Sequence, residues 1–238
     1  MNSSGLPPFL ADMFAPILEL ARTGGPVVVL LGALSVITLA LALAKLIQFH
    51  AAGTGRHVNA RKVLRVWISG ERETAMQHVG GERSVLGDVL VHLVRGASNG
   101  RGTEAQLRED IERVCLNKLA HLRSFLRPLD MIAQTAPLIG LFGTVLGMIQ
   151  AFQSMQGAGA NVDPSVLAGG IWVALLTTAV GLAVAIPTSV FVGWCDGRIE
   201  REQQAMEDLV TAFFTGKPTE AAPVGVVDLA SHGRRHAH

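Results

Sequence analysis

Residues Met131–Phe152 read MIAQTAPLIGLFGTVLGMIQAF and contain no Asp, Glu, Lys, Arg or His. About 20 mostly apolar residues in helical form cross the hydrocarbon core of a bilayer, and this stretch has that length. Two more runs share its character. Pro26–Lys45 carries a charge only on its last residue, and Ile171–Cys195 carries none. Backbone in hydrocarbon satisfies its own hydrogen bonds as a helix. The three runs therefore predict an all-α integral membrane protein with three transmembrane helices. A soluble core of three buried helices is the alternative, but the rest of a 238-residue chain has too little apolar material to cover them. The first run does not read as a cleaved signal peptide. It starts deep in the chain, lacks a basic flank and is too long for an h-region.

Basic residues give the orientation, because Lys and Arg gather on the cytoplasmic side. The segment Lys45–Arg127 carries 14 of the 20 Lys and Arg residues, and Gln153–Gly170 carries none. This divides the chain into an outer-face segment at 1–25, a first span at 26–45 and a cytoplasmic helical loop at 46–130. A second span at 131–152, a short periplasmic loop at 153–170 and a third span at 171–195 follow. A cytoplasmic helix at 196–216 and a disordered tail at 217–238 complete it. The N-terminus lies outside and the C-terminus in the cytoplasm. Trp172 and Trp194 bracket the third span at about 33 Å for a rise of 1.5 Å per residue, matching an aromatic residue at each interface.

The parts outside the bilayer read as helical too. Phe14, Ile17, Leu18 and Ala21 share one face, which predicts a short helix lying on the outer membrane surface. In the loop, Val85, Leu86, Val89, Leu90, Leu93 and Val94 recur at helix spacing. A longer stripe of Leu107, Ile111, Val114, Leu122, Phe125 and Leu126 opens at Thr103 or Glu104 and runs toward Pro128 into the second span. Its polar face mixes Arg108, Glu109, Glu112, Arg113 and Lys118, a pattern of local ion pairs. Past the third span, Ile199, Met206, Leu209, Val210 and Phe213 continue an apolar stripe. Together these long extensions make a cytoplasmic helical bundle.

Chemistry-bearing motifs are scarce. Cys115 and Cys195 cannot frame a disulfide scaffold, and no Cys/His spacing suits a metal. His232, His236 and His238 fall in the tail expected to be disordered, and could bind a metal only adventitiously. No dinucleotide fingerprint, phosphate loop or nucleophile elbow is present. The sequence calls for no enzyme activity, no cofactor, no metal and no nucleic acid.

The second and third spans are more than anchors. Pro137, Gly140, Thr144, Gly147 and Ala151 fall at steps of three or four, as do Ala174, Thr178, Gly181 and Ala185, and Gly143 with Gly147 adds a GxxxG pair. Small residues let membrane helices approach closely. A threonine there either bonds its own upstream carbonyl or lines a polar path. Apart from Lys45, which ends the first span, no span holds an ionisable group, and a proton relay through hydrocarbon normally uses one. A conducting path would need a titrating group from a partner, or a water wire.

At Ala136–Ile149, APLIGLFGTVLGMI, and Gly169–Pro187, GGIWVALLTTAVGLAVAIP, the sequence resembles the MotA/TolQ/ExbB proton-channel family, nearest its three-span TolQ/ExbB branch. The resemblance implies a homo-oligomer, a pentameric ring in a bacterial inner membrane, whose second and third spans line a central pore. It implies a TolR/ExbD-like partner whose single helix supplies a membrane aspartate. Proton flow would drive a TonB- or TolA-like protein that spans the periplasm. The family's pore-facing threonines fall on Thr144 and Thr178. Its packing and kink positions fall on Pro137, Gly140, Gly143, Gly147, Gly181 and Pro187, and Asp130 stands at the cytoplasmic entrance. Many relatives carry a glutamate two residues after the isoleucine of the second block; here that position is Val173. A path through a glutamate in cis at that position is excluded, and a non-conducting scaffold for an envelope complex is the rival reading.

Overall fold

The computed structural model describes residues 25–55, 57–79, 84–99, 103–157 and 164–217. The expected surface helix before residue 25, most of the tail and the middle of the outer loop lie outside the described residues. The described residues form seven helices and no strand: α1 Gly25–Ala51, α2 Val58–Ile68, α3 Arg72–Val79, α4 Val85–Asn99, α5 Glu104–Arg123, α6 Leu126–Gly157 and α7 Pro164–Thr215. Helices long and apolar enough to cross a membrane arise at three places, in α1, α6 and α7. The chain is an all-helical membrane protein.

Two compact units share the chain. The first comprises Met1–Thr54 with Asn117–Arg201, the second Gly55–Leu116 with Glu202–His238. In the first unit, Leu31, Ala136 and Ala185 form a buried cluster among α1, α6 and α7, with Val27, Leu34, Ile139, Val180 and Val184 packed around it. The outward faces stay bare: Val36, Leu39 and Ile47 on α1, Leu138, Phe142 and Ile149 on α6, and Leu175, Ile186 and Val190 on α7 are all exposed. Water would not tolerate so much contiguous apolar surface; lipid or another protein face suits it.

The second unit folds as a water-soluble bundle does. Val85, Leu86, Val89, Leu90, Leu93 and Val94 are all buried along α4, against a core that includes Leu64, Ala75, Ile111 and Met206. Side chains cap two of its helices. Ser84 Oγ accepts from the Gly87 amide at 3.0 Å ahead of α4. At α5, Thr103 and Gln106 form a reciprocal capping box: the Thr103 amide donates to Gln106 Oε1 at 2.9 Å and the Gln106 amide to Thr103 Oγ1 at 3.3 Å. Two ion pairs on the polar face of α5, Glu104–Arg108 and Asp110–Arg113, are present and exposed.

One local feature departs from the sequence pattern. The apolar stripe predicts one helix from Thr103 or Glu104 into the second span, but α5 stops at Arg123 and α6 starts at Leu126. Phe125, between them, has φ 65°. Pro128 then sits in the first turn of α6, where a missing amide costs no helical hydrogen bond. Periodicity of apolar residues survives such a joint, so the pattern does not reveal it.

Candidate functional site

The seam between α6 and α7 is built from residues with almost no side chain. A methyl group added at Gly140 would stand 2.9 Å from the Thr177 carbonyl oxygen and 3.0 Å from Thr178 Cα. One added at Gly181 would stand 2.7 Å from the Ala136 carbonyl oxygen and 3.2 Å from Gly140 Cα. Backbone therefore meets backbone at the crossing, and only glycine fits either position. Gly143 faces the Thr177 side chain, Gly147 faces Ala174, and Gly170 faces Ala151, so the contact continues along both helices. Pro137 and Pro187 lie inside α6 and α7 without ending either helix.

The threonines divide into three environments. Thr144 Oγ1 donates to its own upstream carbonyl, Leu141, at 2.7 Å. Thr177, 2 % exposed, turns its hydroxyl into the seam, where it lies 3.0 Å from the Gly140 carbonyl oxygen of α6 and 2.7 Å from that of Ala174. Thr178 Oγ1 is buried and has no hydrogen-bond partner; among the described residues Thr38 Oγ1 of α1 shares that condition. The structure thus joins Gly140, Gly143, Gly147 and Gly181 in one seam but makes no hydrogen bond between Thr144 and Thr178. Thr177 is the seam residue that sequence reasoning passed over. Its signal was the Thr177-Thr178 pair itself, since neighbours on a helix point about 100° apart and cannot share one role. Asp130 is exposed at the start of α6 and accepts from the Gln134 side-chain amide at 2.7 Å. Val173 is half-buried on α7.

The second unit holds a buried carboxylate. Glu202, 2 % exposed, accepts from the Gly55 amide and lies 3.0 Å from His57 Nε2. Arg108 stacks 4.7 Å above the Phe214 ring, and Trp67 stacks on Phe213 at 5.5 Å. Burial, with Glu112 and Glu207 nearby, pushes the Cys115 thiol up, away from the reactive thiolate. These groups knit the unit together and assemble no catalytic arrangement.

A small-residue seam between two long helices, with hydroxyls but no charges along it, marks a close helix–helix contact in an all-helical membrane protein. Residues 82–208 match the MotA/TolQ/ExbB proton channel family. The chain belongs to that family. Among its relatives, a protein described as a biopolymer transport ExbB homolog from Methanothermobacter thermautotrophicus is 29 % identical over 199 residues, 82 % of this chain and 68 % of that one. Biopolymer transport protein exbB1 of Vibrio cholerae is 42 % identical over 85 residues, 35 % of this chain and 37 % of its own. Tol-Pal system protein TolQ of Haemophilus influenzae is 36 % identical over 87 residues, 37 % of this chain and 38 % of its own. In the last two the chain spans little more than a third of the relative's length.

Proposed function

We propose that this protein is the proton-channel subunit of an inner-membrane energy-transducing complex, coupling the proton motive force to envelope or outer-membrane transport work. It would form a ring, a pentamer by analogy with its family, with the N-terminus periplasmic and the C-terminus cytoplasmic. A single-helix TolR/ExbD-like partner would enter the ring and bring the titrating carboxylate that these spans lack. A TonB- or TolA-like protein would receive the work.

The observation that carries this reading is the hydroxyl of Thr178. It is buried yet unpartnered, and a buried hydroxyl without a partner is costly unless another molecule completes it. In the chain as it stands that atom is closed off, so a water or a partner carboxylate would complete it only where α6 and α7 part or turn on assembly. Thr144 keeps an acceptor lone pair free while it donates to its own helix. Asp130, at the cytoplasmic end, would serve as the pathway entrance. The seam glycines hold the two helices in close contact, and Pro137 and Pro187, inside those helices, would set their kinks.

Reconstitution tests it. The chain is placed in liposomes with a pH dye and an imposed potential, alone and with its one-helix partner. Partner-dependent flux is expected, lost in Thr178→Val and Thr144→Val while the ring stays assembled. Normal flux in both variants would remove the pore assignment. A second reading, a non-conducting scaffold, draws on Val173 standing where many relatives carry glutamate. Absence of flux from a verified complex would establish it.

A further inference from the structure

Lys45 is fully buried, at 0 % exposure. Its ammonium donates to the Leu122 carbonyl, to the Ser124 carbonyl at 2.9 Å and to Gln48 Oε1 at 2.9 Å. Gln48, one turn on, donates from Nε2 to the His121 carbonyl at 2.8 Å and to Ser124 Oγ at 3.0 Å. Phe49 lies under the ammonium, with its ring centroid 4.7 Å away. Two side chains of α1 thus reach across to the last turn of α5 and the joint that follows it.

The chemistry of that turn explains why. The last four carbonyls of a helix have no partner within it, and the helix dipole concentrates negative charge there. Chains usually end a helix by placing glycine in the left-handed conformation just past the end, which lets the following amides turn back onto those carbonyls. Here the left-handed residue is Phe125, with φ 65°. A bulky residue holds such a conformation only where its surroundings over-determine it. The Leu122 and Ser124 carbonyls are met instead by the Lys45 ammonium from another helix, and the His121 carbonyl accepts from Gln48 Nε2 as well as from the Ser124 amide at 3.3 Å and the Ser124 hydroxyl at 2.7 Å. A cation is also the partner that the negative end of a helix favours.

We propose that Lys45, supported by Gln48, is a positioning residue that caps α5 in trans and thereby holds the joint at Ser124–Phe125 open. Without the cap, the apolar stripe from α5 into α6 would draw the two helices into one, and α6 would enter the membrane with its glycine face turned. The inference rests on the geometry of the first unit alone, and stands whether or not the protein conducts.

The test is a rescue experiment on the full chain in lipid nanodiscs, read by amide exchange across residues 121–127 and by thermal midpoint. Lys45→Met, which keeps length and apolar bulk, is expected to speed exchange there at least tenfold and to lower the midpoint by several degrees. Adding Phe125→Gly should recover at least half of the midpoint loss, because glycine takes the left-handed conformation freely. Adding Phe125→Ala, which removes the ring but not the backbone penalty, should recover none. Unchanged exchange in Lys45→Met would overturn the proposal. So would equal rescue by glycine and alanine, which would make Lys45 a packing residue only. Should Lys45→Met fail to fold, Gln48→Leu removes the weaker half of the cap. The same pattern, smaller, is expected against the two Phe125 substitutions, and no difference between them would again overturn it.

Discussion

Between α6 and α7 the touching atoms are backbone and β-carbons: Gly140 on Thr177 and Thr178, Gly181 on Ala136, Gly147 on Ala174. In the second unit they belong to Leu86, Leu90, Leu93, Ile111 and Met206. The two regions solve one problem under different solvents. In water, burying large apolar side chains is itself the driving force, so bulk is useful. Between membrane helices lipid tails are as apolar as leucine, and burial gains nothing. What remains is dispersion at close range and hydrogen bonding across the seam, and both need small residues. The same chain uses leucine where it is wet and glycine where it is not.

The comparison breaks first at Gly181. A leucine there meets a carbonyl oxygen and the Cα of Gly140, neither of which can step aside by a rotamer change. Ordinary overpacking costs roughly 1–3 kcal/mol because side chains give way; here two helices must separate, so the cost should exceed that range. Gly181→Leu is expected to abolish recovery of the folded protein on size exclusion. Gly193→Leu, on the same helix with open space around it, should behave as wild type. Equal behaviour of the two would dismiss the seam as a packing determinant.

In the second unit, size works the other way. Leu90 is 1 % exposed, and Leu90→Ala should cost about 2–5 kcal/mol through lost burial and the cavity left behind. That loss should appear as faster amide exchange in α4 with α6 and residues 171–195 of α7 unaffected. Uniform loosening of every helix would instead mean that the two units unfold as one.

Three spans were legible because length and the absence of charge suffice for them, and the helical second unit because its 3.6-residue stripes are clean. The small-residue faces could be read as faces, since glycine and alanine at steps of three and four admit one arrangement. What stayed hidden depended on partners far away in sequence. The joint at Phe125 is invisible because its cap comes from Lys45 and Gln48, more than seventy residues earlier. Lys45 itself reads as a span boundary and turns out to be wholly buried. The roles of Thr177 and Thr178 could not be assigned from the pair alone: the two point about 100° apart on the helix, and only the neighbouring helix decides which one faces the seam.

That neighbour supplies the smallest and most discriminating prediction. Thr177 reaches the Gly140 carbonyl across the seam, whereas the Thr178 hydroxyl has no hydrogen-bond partner among the described residues. Interhelical hydrogen bonds in membranes average about 0.6 kcal/mol, because the unfolded chain in the membrane also finds partners. Thr177→Val should therefore lower stability slightly, by about that much, in a denaturation titration of the detergent-solubilised protein. Thr178→Val removes a hydroxyl that stabilises nothing in the chain, so its stability should hold or rise, because an unsatisfied polar atom has left the interior. If the two variants lose stability equally, Thr178 has a partner within the fold and the case for its facing a conduit weakens. If only Thr177→Val loses stability, adjacent threonines have divided the work: one fastens the helices, and the other is left without a partner among the described residues.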